Sequence, residues 1–447
     1  MDRRILSACL WVLAVTTAAQ AQEAQWLRYR VDRQPERALG VYAEVRLRAE
    51  PSPPAGLAVP TFAGTRPLFA KWITPRVPAG HLWLALDQST KQGAYDRLYV
   101  DTNADGSLAD ETPIAAEAPA PVAAAAVRVA EVAPRAAPRV AAPVPAASEE
   151  AAPPRARLAV QEQAARFAAV KILFPGKDGP VAYHLNVTFR SRIQRIITWT
   201  RGVPDREVLL EELWLTPGGW YEGTVTVGGK TYPCRLADAN VNGTFDDVSA
   251  DEGKADFILI EGDALPPIRT AGRYIQIGGA LYHPEPARDG ACITFTPVKD
   301  VPTGTLRLDV PQAQLTMGGE NGLLYLNATE GKVSAPAGKY RLTTWQIERT
   351  DDSGAAWRAE GTVIPGEAAV LEVREGKETP LAIGEPFTCK GADMSQDRGT
   401  HNLSLRLRGR LDEPVYLYRD GRQAAPPQVR IANADKTYDQ AFTTRYG

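Results

Sequence analysis

Tyr95-Asp-Arg-Leu-Tyr-Val-Asp-Thr-Asn-Ala-Asp-Gly106 decides how this chain is read. Its first half reads as a strand, and that strand runs directly into a loop of Asp, Asn and Gly. The loop continues to Asp110, giving D-x-N-x-[DN]-G-x-[LF]-x-D. The same register returns in Asp238-Ala-Asn-Val-Asn-Gly-Thr-Phe-Asp-Asp247. That copy is entered from a strand-like segment, Lys230–Leu236, and followed by the apolar run Asp256-Phe-Ile-Leu-Ile260. An EF-hand would place helices on both sides of such a loop. Strands stand there instead, and this sets the expected fold class: all-β and multi-domain, with β-sandwich modules.

The loops carry the only residue-level chemistry that the sequence singles out. Oxygen side chains at alternate positions can converge on one hard cation, and the Gly permits the sharp turn this requires. The candidate ligands are Asp101, Asn103, Asp105, Ser107 (through its carbonyl) and Asp110 in the first loop. In the second they are Asp238, Asn240, Asn242, Thr244 (through its carbonyl), Asp246 and Asp247. The twelfth position, a bidentate Glu in an EF-hand, is Thr112 or Ser249 here, so a distorted site closed by Asp110 or Asp247 is expected. The expected cofactor is structural calcium. The competing reading is a polar turn whose side chains cap their own backbone. Two copies in one register, each behind a strand, favour the cation.

Composition narrows the class. A chain of 447 residues with a formal net charge of −2 lacks the basic excess of a nucleic-acid protein. Asp2-Arg-Arg4, an apolar run from Ile5 to Val15, and Ala19-Gln-Ala21 match a secretory signal peptide over 1–21, cleaved before Gln22. Leu6-Ser-Ala-Cys9 also resembles a lipobox, but most of the apolar run follows Cys9, where a lipobox would end that run. No later stretch is long and apolar enough for a transmembrane span. The expected location is therefore secreted, periplasmic or cell-surface. Cys234, Cys292 and Cys389 remain after cleavage, and any of three pairings is open.

Residues 22–113 read as short strands ending in the first loop. Residues 114–166 are dominated by Ala, Pro and Val and cannot bury a core, so they read as a linker or insertion. A short Ala-rich helix is expected over 155–168. Residues 167–300 form the β-rich segment with the second loop. It contains hairpins turned by Gly228-Gly229 and Gly278-Gly279. Residues 301–384 have sandwich spacing and 385–447 add a C-terminal β segment. Strands are expected at 305–310, 322–327, 339–349, 357–364, 368–374, 402–410, 414–419 and 428–433.

The search for catalytic signatures finds no H-E-x-x-H, G-x-S-x-G, P-loop or C-x-x-C. His81, His184, His283 and His401 are scattered. Glu211-Glu212 could be imagined as a glycosidase pair. Trp199, Trp214, Trp220 and Tyr221 could form a sugar platform, although packing is the commoner role of such rings.

These phrases carry a resemblance. Tyr95–Gly106, Val227-Gly-Gly-Lys-Thr-Tyr232 and Leu236–Asp247 resemble phrases of uncharacterised secreted β-rich bacterial proteins with D-x-N-x-[DN]-G calcium-type loops. The resemblance covers roughly 65–113 and 167–300. It implies calcium-type loops and makes 114–166 an insertion within one architecture. Lys332-Val-Ser-Ala-Pro-Ala-Gly-Lys-Tyr-Arg-Leu342 is similar to the P-A-G-x-Y turn of carboxypeptidase-regulatory or transthyretin-like sandwiches. That implies a fold, with the Tyr in the core. The resulting expectation is a non-catalytic envelope or cell-surface protein, a binding or structural module with structural calcium loops. Its partner would be an envelope polysaccharide or another surface protein. The alternative is a carbohydrate-active protein, either a glycan binder or a glycoside hydrolase.

Overall fold

The computed structural model describes residues 23–117, 163–196, 206–249, 254–363, 370–397 and 400–442, apart from positions 92, 178, 427 and 436. The signal peptide, Cys9, Trp199 and nearly all of the Ala/Pro-rich stretch lie outside these residues. The described chain is all-β: its only α-helix is the single turn Pro35–Leu39. It divides into two units. One holds 29–221 and 236–245; the other holds the chain up to Arg28, then 222–235 and 246–447. The division passes through the strands Gly219–Val227 and Lys230–Ala237, so both units take residues from the five-stranded sheet to which these strands belong.

The unit holding 29–221 contains two four-stranded antiparallel sheets. In the first, Leu68–Ile73, His81–Gln88, Tyr95–Val100 and Ile114–Ala115 lie side by side. Its strand Tyr95–Val100 ends directly at Asp101, where the first loop begins. In the second, Val45–Arg48, Arg206–Pro217, Val181–Ile196 and Gln163–Phe174 pair in that order. Alternation sets the two faces of this sheet. Leu213, Leu215, Val187, Phe189 and Ile172 are fully buried, while Arg46, Arg48, Arg190 and Arg192 point outward. The helix expected over 155–168 is not formed where the chain is described: residues 163–168 belong to the strand Gln163–Phe174. Pairing along most of Val181–Ile196 satisfies the backbone there and outweighs the helix preference of alanine.

In the other unit, Gln25–Trp26, Cys292–Pro297, Ala280–Pro286 and Ile275–Ile277 form a four-stranded sheet. Both Gly-Gly hairpins are present. Gly228 and Gly229 have φ of 59° and 78°, and Gly278 and Gly279 have 59° and 82°, as a two-residue hairpin turn of type I′ requires. The largest element is a ten-stranded sheet. Along its main path run Glu378–Leu381, Thr303–Leu308, Lys332–Pro336, Leu324–Thr329, Gln312–Gly319, Gly338–Thr350, Ala356–Thr362, Val415–Arg419 and Arg422–Gln423. Val370–Val373 pairs with the start of Gly338–Thr350. One core fills this sandwich, with Leu306, Leu315, Met317, Leu342, Trp345 and Ile383 at 2% exposure or less. Tyr340 of the P-A-G-x-Y turn enters that core. Its hydroxyl donates to the Pro336 carbonyl at 2.8 Å and accepts from Asn321 Nδ2, also at 2.8 Å.

Candidate functional site

The two Asp/Asn/Gly loops have the same backbone. The fourth residue of each, Ala104 and Val241, is left-handed, with φ of 62° and 54°. The sixth, Gly106 and Gly243, has φ of 86° and 87°. L-residues rarely adopt this region, which is the physical reason for glycine at the sixth position. The first aspartate closes the turn in both. Asp101 accepts from the Asp105 amide at 3.0 Å and the Gly106 amide at 2.9 Å. Asp238 accepts from the Asn242 amide at 3.2 Å and the Gly243 amide at 2.7 Å. The eighth residue is the apolar anchor: Leu108 and Phe245 are 0% and 2% exposed.

The surroundings then differ. In the first loop, Asn103 Oδ1 accepts from the Asp105 amide at 3.1 Å, and Asp105 Oδ1 accepts from the Ser107 amide at 2.8 Å. Asn103 Nδ2 donates at 3.1 Å both to Asp105 Oδ2 and to Asp110 Oδ2. Ser107 Oγ turns back to accept from the Ala109 amide at 3.1 Å. Thr102 clamps Glu111, which takes its hydroxyl at 2.8 Å and its amide at 2.5 Å. Asp101 is buried, and burial raises its carboxyl above the ordinary range. The Gly106 and Asp105 amides pull it down, and the charges of Asp105 and Glu111 push it up again. The loop thus brings Asp101, Asn103, Asp105 and Asp110 together around its own amides.

The second loop is more buried. Asp238 is fully buried and accepts from the Tyr183 hydroxyl at 2.9 Å in addition to the loop amides. Asn242 Oδ1 accepts from the Thr244 amide and hydroxyl at 2.8 and 2.7 Å. Trp72 Nε1 donates to the Val241 carbonyl at 2.6 Å and fixes the left-handed residue from outside. Asn240 sits beside these groups with its Oδ1 buried. Asp246 and Asp247 begin the other unit, where the Asp247 amide donates to Asp256 Oδ2 at 2.9 Å and its carbonyl accepts from the Asp256 amide at 3.0 Å. Tyr183 and Trp72 went unread in the sequence because no local spacing links them to the loops.

As a cation site the donor set fits in chemical type, since every candidate ligand offers oxygen. Among the described residues, no group of three or more His, Cys, Asp or Glu side chains is gathered as a metal cage. In the first loop the Asn103 amide lies between the two carboxylates that a cation would join. The loop oxygens accept hydrogen bonds from the loop's own amides, and the Asn103 amide group must turn before they could face one ion.

The other candidates resolve into packing. Glu211 is held by Arg66 through two hydrogen bonds of 2.6 Å. Glu212 follows it on the same strand, so it projects to the opposite face, where it accepts from Trp214 Nε1 at 3.3 Å. The two do not form a facing pair. Trp220 is 2% exposed, and Tyr221 packs edge-on against Phe245. Trp214 is covered by guanidinium groups from neighbouring strands, Arg46 at 4.1 Å and Arg190 at 3.7 Å from its centroid. His81 and His283 bond backbone carbonyls, and His184 stacks on Tyr29. Cys234, Cys292 and Cys389 are free thiols. Burial pushes the Cys234 thiol up to about 12, which keeps it protonated and inert.

What fold and site define is a class: an all-β protein that uses one strand-to-loop device twice. No protein-family model, curated protein or solved structure matches the chain. Among the described residues, no helix is long and apolar enough to cross a membrane.

Proposed function

We propose that this chain is a secreted, non-catalytic module of the bacterial envelope or cell surface, and that its two Asp/Asn/Gly loops are structural calcium sites. The observation that carries the proposal is the repeated loop backbone, with left-handed residues at positions four and six and oxygens at one, three and five in both copies. Calcium would be held in the first loop by Asp101, Asn103, Asp105, Asp110 and the Ser107 carbonyl. It would take over the hydrogen bonds that the Asn103 amide makes to Asp105 and Asp110. In the second loop the proposed ligands are Asp238, Asn240, Asn242, the Thr244 carbonyl, Asp246 and Asp247. The ion would supply charge neutralisation where buried Asp101 faces Asp105 and Glu111. Extracellular calcium modules typically bind with a Kd of about 0.1–1 mM, a range filled outside the cytoplasm.

Calorimetric titration of the purified chain with calcium tests this reading. The expected result is saturable binding that is reduced in the Asp105→Ala/Asp110→Ala variant. Absence of binding up to millimolar calcium would return both loops to polar turns.

A further inference from the structure

We propose that the outward face of the ten-stranded sheet is a binding trough for a neutral polysaccharide. The proposal rests on the envelope-module reading and names its ligand class. The register of five strands places one row of polar side chains straight across the sheet. Asn327 lies opposite Gln314, Gln314 opposite Gln346, Gln346 opposite Glu360, and Glu360 opposite Tyr416. A second row, Tyr325, Thr316, Thr344 and Thr362, runs beside it. Strands lie about 4.8 Å apart, so the first row offers a polar group at that interval across the sheet. This interval is close to the length that one sugar ring adds to an extended glycan.

Two open cavities lie along the rows. The segment Ala264-Leu265-Pro266 walls one cavity of about 360 Å³. A second cavity of about 290 Å³ shares Gln314, Asn327 and Gln346 with it. Gln314 and Asn327 are exposed, and their side-chain amides make no hydrogen bond to another described residue. Each amide offers both donors and acceptors, the pairing that neighbouring sugar hydroxyls need. Where the rows run, Arg358 Nε lies 2.9 Å from the Glu360 carboxylate, and Glu348 accepts from the Gln346 amide at 3.0 Å. Protein recognition usually needs a large apolar or aromatic anchor at the centre, and this row holds amides there. The strands involved are internal to the sheet, so their backbone edges are already paired and cannot take an added strand. The apolar edges of Leu265 and Pro266 are suited to the C–H faces of sugar rings.

Affinity electrophoresis of the full chain tests the trough, in gels containing a β-glucan, xylan, mannan, galactan or dextran, with alginate as an acidic comparison. The expected result is retardation by at least one neutral polymer, unchanged by high salt. It should weaken by about tenfold or more, equivalent to about 1.4 kcal/mol, in the Gln314→Ala/Gln346→Ala variant. Asn327→Ala, a change at an exposed side chain, gives an independent reading if the double variant is poorly folded. Three results would overturn the proposal: no retardation by any neutral polymer, retardation that survives all three substitutions, or retardation by alginate alone that salt abolishes. The last would assign binding to an arginine-rich face such as that of Arg48, Arg190 and Arg192. Gels are run in calcium and in chelator, so that failure of the calcium reading, scored by titration, is told apart from failure of the trough.

Discussion

At the scale of the residue, the loops depend on backbone that only glycine adopts without strain. Placing a side chain at φ near +86° costs about 1–2 kcal/mol even in open space, and Gly106 has open space around it. Gly106→Ala should therefore destabilise by about that amount. At Gly243 an added Cβ would also meet the Phe174 ring at 3.1 Å, so Gly243→Ala should cost more. Urea unfolding of both variants checks the order, and equal losses would contradict the packing argument. Arg269 supplies a second test. Its side chain is fully buried, donating to the Gln276 and Ile268 carbonyls at 3.0 and 3.1 Å and to Asp263 at 3.0 Å. Arg269→Ala strands the buried Asp263 carboxylate, and a loss of about 3–5 kcal/mol is expected in the same assay.

At the scale of the element, local chemistry was legible and distant pairing was not. Gly228-Gly229 and Gly278-Gly279 specify two-residue turns by themselves, and the flanking strands followed from them. The loops were legible for the same reason: register and turn residues sit within ten positions of one another. Glu378–Leu381 was missed because it pairs in parallel with Thr305–Leu308, a partner far back in the chain, and its own sequence is short and polar. Residues 163–168 were misread because alanine favours a helix until a strand such as Val181–Ile196 is available to pair with. Around the loops, the Tyr183 and Trp72 contacts belong to the fold and leave no trace in spacing.

The hairpin joining Gly338–Thr350 to Ala356–Thr362 makes an element-scale prediction about pH. Hydrogen bonds from Ser353 Oγ and Trp357 Nε1, joined by the Ala355 and Ser353 amides, hold the Asp351 carboxyl well below its ordinary 3.8. An acid whose folded pKa is depressed adds stability above its unfolded pKa and loses it as pH falls toward the folded value. The turn should therefore weaken on acidification below about pH 4, and Asp351→Asn should flatten that limb. Hydrogen exchange at the Ala355 amide, measured against pH, reads this directly. Parallel pH dependence in parent and variant would contradict it.

At the scale of the molecule, the chain is all-β in both of its units, and that class was readable from the strands that enter the two loops. The position of the unit division was not readable. It falls inside continuous strands and between Phe245 and Asp246, where no composition shift marks it. The calcium reading makes its claim at this scale, because a ligand bound only by the folded chain stabilises the whole cooperative structure. The measurement that tests it most directly is the melting temperature of the chain in millimolar calcium and then in chelator, for the parent and for Asp105→Ala/Asp110→Ala. A ligand at a hundred times its Kd adds about 2.7 kcal/mol. The account predicts a calcium-dependent rise in the parent that shrinks in the variant. Coincident melts of the parent in calcium and chelator would contradict it.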